Sequence, residues 1–345
     1  MRRSPLPSGE RGRGEGFVTR LATIGCGEHA TSSHGPSLAL YAERHPGTEL
    51  VACCDLDPGK AERYRARFGF ARAYTDLRRM LDTERPDAVS LVAPVERTCE
   101  LACLIFEWGF PLLVEKPPGR TVAEVDRMIA AAGGVAHQVA FNRRFAPLLR
   151  ELKRELDAHV APAERQHLHY EMTRVGRRDA DFSTTAIHGI DAVRYLAGSD
   201  YAEIRFRYQA LPAAGPGVAN IFLDAVMASG ASAHLAFCPV AGVVVERAAV
   251  HGRDHTFYAH VPMWDAFDAP GRLQHVERGE LKRDVKGDEW TDSRLPFVQG
   301  GFYGEYVAFL DALREGRAPS PSLKEARQSV AVAECIRERK GEYRA

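Results

Sequence analysis

Between Phe17 and Phe141, short apolar runs alternate with helical stretches, and this alternation constrains the fold more than any other feature of the chain. The apolar runs are Leu21–Ile24, Glu49–Cys54, Ala88–Val92, Leu112–Val114 and Val135–Phe141. The helical stretches are Ser37–Arg44, Gly59–Phe68, Cys99–Trp108 and Val122–Ala132. A run with no polar alternation suits a strand buried on both faces, and strands alternating with helices predict βαβ units in a parallel, doubly wound sheet. Right-handed crossovers place the carboxyl ends of all such strands on one edge, where ligands bind.

The pattern changes after residue 160. Leu168/Tyr170/Met172, Ile204/Phe206/Tyr208, Phe222–Val226, Ser232–Phe237, Val243–Val250, Thr256–Val261 and Leu273–Leu281 read as strands. Gly230, Gly252-Arg253-Asp254 and Gly279 mark hairpin turns, so this half predicts an antiparallel meander. Tyr303, Tyr306, Phe309, Leu310 and Leu313 mark a late helix ended by Gly316, and Ser322 with Glu325 forms a capping box for the last one. The expected organisation is a tail over residues 1–16, a first domain over 17–140 and a second over 141–345. The last helices are free to pack back on the first domain.

Composition removes several classes. The 345 residues carry 46 basic and 46 acidic side chains, and the zero balance gives no general attraction to nucleic acid or anionic membrane. That zero is uneven. Residues 1–20 hold five arginines against two glutamates, and residues 1–16 are Pro-, Gly- and Ser-rich with too little apolar surface to order themselves. The longest nearly uncharged apolar stretch, Leu235–Val245, is too short to span a bilayer, and the N-terminus lacks the apolar core of a secretory signal. Seven scattered cysteines, an odd number, fit reduced thiols in a cytoplasm.

Directly after the first apolar run stands Gly25-Cys26-Gly27-Glu28-His29-Ala30, a G-x-G-x-x-A. The first glycine permits the tight turn, the second lets a pyrophosphate approach the backbone, and the small third residue lets helix and strand pack closely. Asp55 ends the second run, where a carboxylate bonds ribose hydroxyls and repels a 2′-phosphate. Neither Leu56 nor Asp57 offers the positive charge that NADP requires, so the expected cofactor is NAD. Glu115-Lys116-Pro117 follows the Leu112–Val114 run and puts an ammonium on the same edge, able to bond a substrate oxygen.

Together with Ala140-Phe141-Asn142-Arg143-Arg144-Phe145 and Gly301-Phe302-Tyr303, these pieces resemble the Gfo/Idh/MocA oxidoreductases over about residues 19–338. The resemblance implies a cis Lys116-Pro117 bond and a cofactor set of Gly25, Gly27, Glu28, His29, Ala30, Asp55, Leu56, Ala93, Pro94, Glu115, Lys116 and Pro117. It implies hydride transfer between nicotinamide and a sugar, cyclitol or related polyhydroxy or keto compound. It also implies that residues 17–140 bind the dinucleotide, and that 141–345 bind substrate on an open, mostly antiparallel sheet covered by helices, whose outer face self-associates into a dimer or tetramer. The family's second signature is a helix with Asp, then His four residues on, then Asp three further. Here Ile187-His188-Gly189-Ile190-Asp191 supplies the His and the later Asp, while Thr184 stands where many members have the first Asp.

The expected catalytic residues are Lys116, polarising the oxygen, and His188, relaying the proton. Asn142, Arg144, Thr184 and Asp191 join them as substrate contacts. Thr184 cannot share a proton as a carboxylate does; Asp181 is the nearest substitute, and Thr98 stands where relatives often carry His. A non-catalytic NAD-binding sensor and an NAD-dependent glycosidase are the alternative readings. His167 and His169 share one face of a strand but have no third ligand at recognisable spacing, so no metal site is expected.

Overall fold

The computed structural model describes residues 19–264, 266–289 and 294–345; the tail over residues 1–16 lies outside the described residues. The chain forms two compact units. One takes the chain up to Ala140 together with Phe302–Arg327, and the other takes Phe141–Gly301 with Gln328–Ala345.

In chain order the first unit contains β1 (Thr19–Ile24), α1 (Gly35–Arg44), β2 (Thr48–Cys54), α2 (Pro58–Phe68), β3 (Arg72–Tyr74), α3 (Leu77–Glu84), β4 (Ala88–Leu91), α4 (Val95–Glu107), β5 (Leu112–Glu115), α5 (Val122–Ala132) and β6 (His137–Ala140). The strands make one sheet in the order β3-β2-β1-β4-β5-β6, every pair parallel. β4 and β5 are buried along their whole length, as their unbroken apolar runs require. Asp57 caps α2 through the amides of Gly59 and Lys60, and Gly69 ends it in the left-handed region. β3 and α3 escape the sequence reading because one has three residues and the other is largely charged.

The second unit follows with α6 (Pro147–His159), β7 (Arg165–Thr173), α7 (Ser183–Ala197), β8 (Tyr201–Ala210), β9 (Ala219–Met227), β10 (Ser232–Cys238), β11 (Val245–Gly252), β12 (His255–Val261), β13 (Arg272–Glu277), β14 (Glu280–Lys286) and α8 (Pro296–Gln299). Then come α9 (Phe302–Arg314) in the first unit, α10 (Leu323–Arg337), and β15 (Glu342–Arg344) in the second. The aromatic face of α9 enters the first unit's core, where Tyr306, Phe309 and Leu310 join Leu38, Tyr41 and Leu113. Burying each large side chain contributes roughly 1.5–3 kcal/mol. The capping box at α10 is formed: the Ser322 amide donates to Glu325 Oε2 at 2.7 Å, and the Glu325 amide to Ser322 Oγ at 3.3 Å.

The second sheet runs β14-β13-β12-β11-β7-β10-β9-β8-β15. It is mixed rather than a simple meander, because β10 lies parallel to β7 while the other pairs are antiparallel. The physical reason is α7, which carries the chain away from β7 so that β8–β10 and β11–β14 pair on opposite sides of it. The hairpins turn at Gly230, Asp254 and Gly279, each at positive φ. Gly189 seats α7 on this sheet: a Cβ there would stand 2.6 Å from Phe237 and 3.0 Å from Tyr170.

Candidate functional site

At the carboxyl edge of the first sheet, Gly25 adopts φ +91°, and a Cβ on it would stand 1.9 Å from the Val92 carbonyl oxygen, so only glycine makes this turn. A Cβ on Gly27 would meet nothing within 4 Å, which leaves its backbone open to a ligand. The Cys26 amide donates to Asp55 Oδ2 at 2.8 Å and the Asp57 amide to Asp55 Oδ1 at 2.9 Å, locking the carboxylate beside the loop with lone pairs to spare. Leu56 is 89% exposed. An open groove of about 510 Å³ runs along this edge, lined by Gly27, Glu28, Thr31, Lys60, Arg63 and Arg67 among others. The three cations come from α2 at positions 60, 63 and 67, one helical face.

After Ala30 the chain makes a π-helical turn, Ala30–His34, before α1 begins. That turn buries His34, 1% exposed, against Glu115 at the end of β5. His34 Nε2 and Glu115 Oε2 are 3.1 Å apart, His34 Nδ1 and the Tyr306 hydroxyl 2.9 Å, and that hydroxyl and Ser90 Oγ 2.6 Å. Burial pushes the Glu115 carboxyl up, but His29 and His34 beside it hold it well below the usual carboxylate range. An ionised carboxylate only accepts, so directions follow: His34 donates from Nε2, Tyr306 donates to Nδ1, and Ser90 donates to Tyr306. Lys116 Nζ lies 3.8 Å from Glu115 Oε1, with a side chain 16% exposed. The Lys116–Pro117 peptide is cis. Pro94 opens α4 as its N-cap, and Thr98 turns its hydroxyl back to the Pro94 carbonyl at 3.2 Å.

The second unit builds a separate polar cluster around His188, which is 5% exposed on α7. Arg143 Nη1 approaches His188 Nε2 at 3.3 Å and also donates to Asn142 Oδ1 at 3.0 Å. Its Nε and Nη2 hold the carboxylate of Glu246 at 3.2 and 2.6 Å, and Arg174 donates to the same carboxylate. Tyr170 donates to Glu246 Oε2 at 2.7 Å. Burial raises the Glu246 carboxyl, but Arg143 and Arg174 pull it down further, to about 2. Asn142 is anchored by its Nδ2 on the Gly300 carbonyl at 2.7 Å.

Asp191 and Arg144 meet as a bidentate pair at 2.7 and 2.8 Å, with Ser329 donating to Asp191 at 3.2 Å. Both charges are thus engaged with each other. Thr184 lies in the first turn of α7, and Asp181 accepts the Ser183 amide at 3.0 Å, bracing the start of the helix.

Sequence reasoning passed over Arg143, Glu246, His34 and Tyr306. Glu246 left a usable signal, since it falls in phase with Ala248 and Val250 on the buried side of β11. A lone acid on an apolar face demands a cation. Arg143 sat within a quoted motif with no role attached, and His34 reaches Glu115 through a π-turn that period-3.6 reading does not register.

A parallel, doubly wound sheet with a Gly-x-Gly loop and an Asp after its second strand defines a dinucleotide-binding Rossmann unit. Residues 19–142 match the Gfo/Idh/MocA family model, described as an oxidoreductase family with an NAD-binding Rossmann fold. Over those residues, about a third of the chain, the sequence is similar to that family. It is 30% identical to inositol 2-dehydrogenase 4 of Saccharopolyspora erythraea over 57% of this chain and 59% of that one. It is 30% identical to D-glucoside 3-dehydrogenase of Escherichia coli over 40% and 38%. The matched part therefore spans about half the length of these curated relatives. An oxidoreductase domain protein from Kribbella flavida and a levoglucosan dehydrogenase in complex with NADH each superpose with TM-score 0.79 over 95% of this chain and 99% of theirs. Both are 19% identical to it, so that likeness is one of fold.

Proposed function

We propose that the chain is an NAD-dependent oxidoreductase acting on a CH–OH or C=O group of a sugar, cyclitol or related polyhydroxy or keto compound. The observation that carries this reading is Lys116, a largely buried ammonium at the carboxyl end of β5, on the sheet edge that also holds Gly27 and Asp55. The names of the curated relatives, an inositol and a glucoside dehydrogenase, support the substrate class.

The residues present fit the cofactor. Gly27 leaves its backbone open, Asp55 presents a carboxylate to a ribose, and the groove carries Lys60, Arg63 and Arg67 toward phosphates. Bound, the nicotinamide supplies the hydride donor or acceptor. Lys116 Nζ donates to the substrate oxygen and steadies the charge that grows there. Glu115 beside it, 3.8 Å away, supplies the counter-charge. His188 takes or returns the hydroxyl proton at Nε2, where the substrate hydroxyl displaces the long Arg143 contact. Asn142 and Thr184 offer hydrogen bonds to further hydroxyls.

No helix among the described residues is long and apolar enough to cross a membrane. We place the enzyme in a reducing, cytoplasmic setting because all seven cysteines are free thiols. We also assign self-association to the outer face of the second sheet, where Tyr258 and Val226 are 41% and 48% exposed.

The test is a screen of polyols and keto-sugars that follows NADH absorbance, with wild type beside Lys116→Ala. Turnover by wild type on at least one compound is expected. The variant should lose orders of magnitude while NADH still binds; a fully active Lys116→Ala enzyme would sink the mechanism.

A further inference from the structure

Away from both clusters described above, the second unit gathers three imidazoles and a carboxylate in one place. Glu155 and His159 stand four residues apart on α6 and so share a face. His255 on β12 and His275 on β13 meet that end of the helix: the His159 ring lies 4.6 Å from that of His275 and 5.5 Å from that of His255, centroid to centroid. One nitrogen of His159, one of His275 and one carboxylate oxygen of Glu155 all lie within 4.8 Å of one another.

The hydrogen bonds around these atoms leave donor positions for a ligand. His159 Nδ1 faces the Glu155 carbonyl at 2.8 Å and must donate to it, so the lone pair of the neutral ring is on Nε2. His275 Nε2 is tied to His255 Nδ1 at 2.9 Å, which fixes the orientation of the His275 ring. Glu155 Oε1 accepts from Arg154 at 2.6 Å and from Arg283 at 2.5 Å, while Oε2 is turned toward His159 Nδ1 at 3.9 Å. His275 is 3% exposed.

We propose that Glu155, His159 and His275 form a site for a zinc-class divalent ion, with His255 as the outer partner that orients His275. Two imidazole nitrogens and one carboxylate oxygen are a zinc donor set, and a tetrahedral site with bonds of roughly 2.0–2.1 Å sets its donors about 3.3 Å apart. Closing from within 4.8 Å needs only side-chain rotation. The nitrogen majority disfavours magnesium, which takes oxygen ligands. Bound there, the ion ties the C-terminal turn of α6 to β12 and β13. A hydrogen-bonded partner behind a ligating histidine is the usual second layer of such a site.

The experiment titrates chelator-treated, full-length protein with zinc and, separately, with magnesium by calorimetry, and repeats the zinc titration on His159→Gln, Glu155→Gln and His169→Gln. His159 is 38% exposed at a helix end, so its replacement leaves the fold intact, which a metal-free melt checks. The expected result is one zinc per chain, no magnesium heat, and binding at least about tenfold weaker in the His159 and Glu155 variants. The His169 variant, altered on a different strand of the sheet, should match wild type. Absence of zinc binding, zinc binding unchanged in His159→Gln, or binding lost in His169→Gln would each overturn the site.

Discussion

Arg143 Nη1 meets His188 Nε2 at 3.3 Å while the rest of the same guanidinium holds Glu246. Arginine has no acceptor, so this contact makes Nε2 the lone-pair nitrogen and puts the proton of the neutral ring on Nδ1. Replacing Arg143 with Lys keeps the charge but loses the planar fork. We expect kcat/KM to fall by up to roughly 100-fold while NADH affinity holds. An unchanged kcat/KM would remove Arg143 from the positioning of His188. Replacing His188 itself with Ala should cost about 10²–10⁴-fold in turnover.

Glu246 stabilises the second unit by serving three donors at once. Glu246→Gln leaves two buried guanidinium groups undercompensated, and a loss of about 3–5 kcal/mol is expected from urea melts at neutral pH. In wild type the carboxyl sits at about 2 when folded, against about 4.3 in the unfolded chain. Its contribution is therefore complete above pH ~4.3 and fades as pH falls from there toward the folded value. Melts across that window should show a slope that the Gln variant flattens; equal slopes would contradict the assignment.

His34 behaves in the same direction at higher pH. Burial lowers its proton affinity in the folded state despite Glu115, so below about pH 6.5 the unfolded chain takes up a proton that the native His34 refuses. Stability should begin to decline there. Tyr306→Phe, which removes the donor to Nδ1, is expected to cost about 1–3 kcal/mol and to shrink that decline. Hydrogen exchange of the α9 amides at pH 7 and pH 5.5 is an independent readout.

Asp55 is proposed to set the cofactor preference. Thermal-shift and affinity measurements are expected to favour NADH over NADPH. Asp55→Ala should weaken NADH by about 1.5–3 kcal/mol, roughly tenfold to a hundredfold, and leave NADPH less affected. Lys60, Arg63 and Arg67 lie along the same groove, so tighter binding of NADPH by wild type would show that these cations, rather than Asp55, govern the choice.

The sequence by itself determined the parts that depend on local periodicity. Unbroken apolar runs and intervening helices specified the parallel sheet, Gly25 and Gly27 the loop, the spacing of Gly230, Asp254 and Gly279 the hairpins, and Ser322 with Glu325 the start of the last helix. Each is written within a few residues, where backbone sterics and hydrogen bonding act directly. Tertiary structure decided what joins distant segments. It ran β10 parallel to β7 because α7 intervenes, and it brought Tyr306 onto His34 across 272 residues. It also set Glu246 between Arg143 and Arg174, and engaged Arg144 with Asp191. A buried charge must find its counter-charge or remain unsolvated. Which partner it finds depends on how sheets and helices stack, and that information is spread over the whole chain.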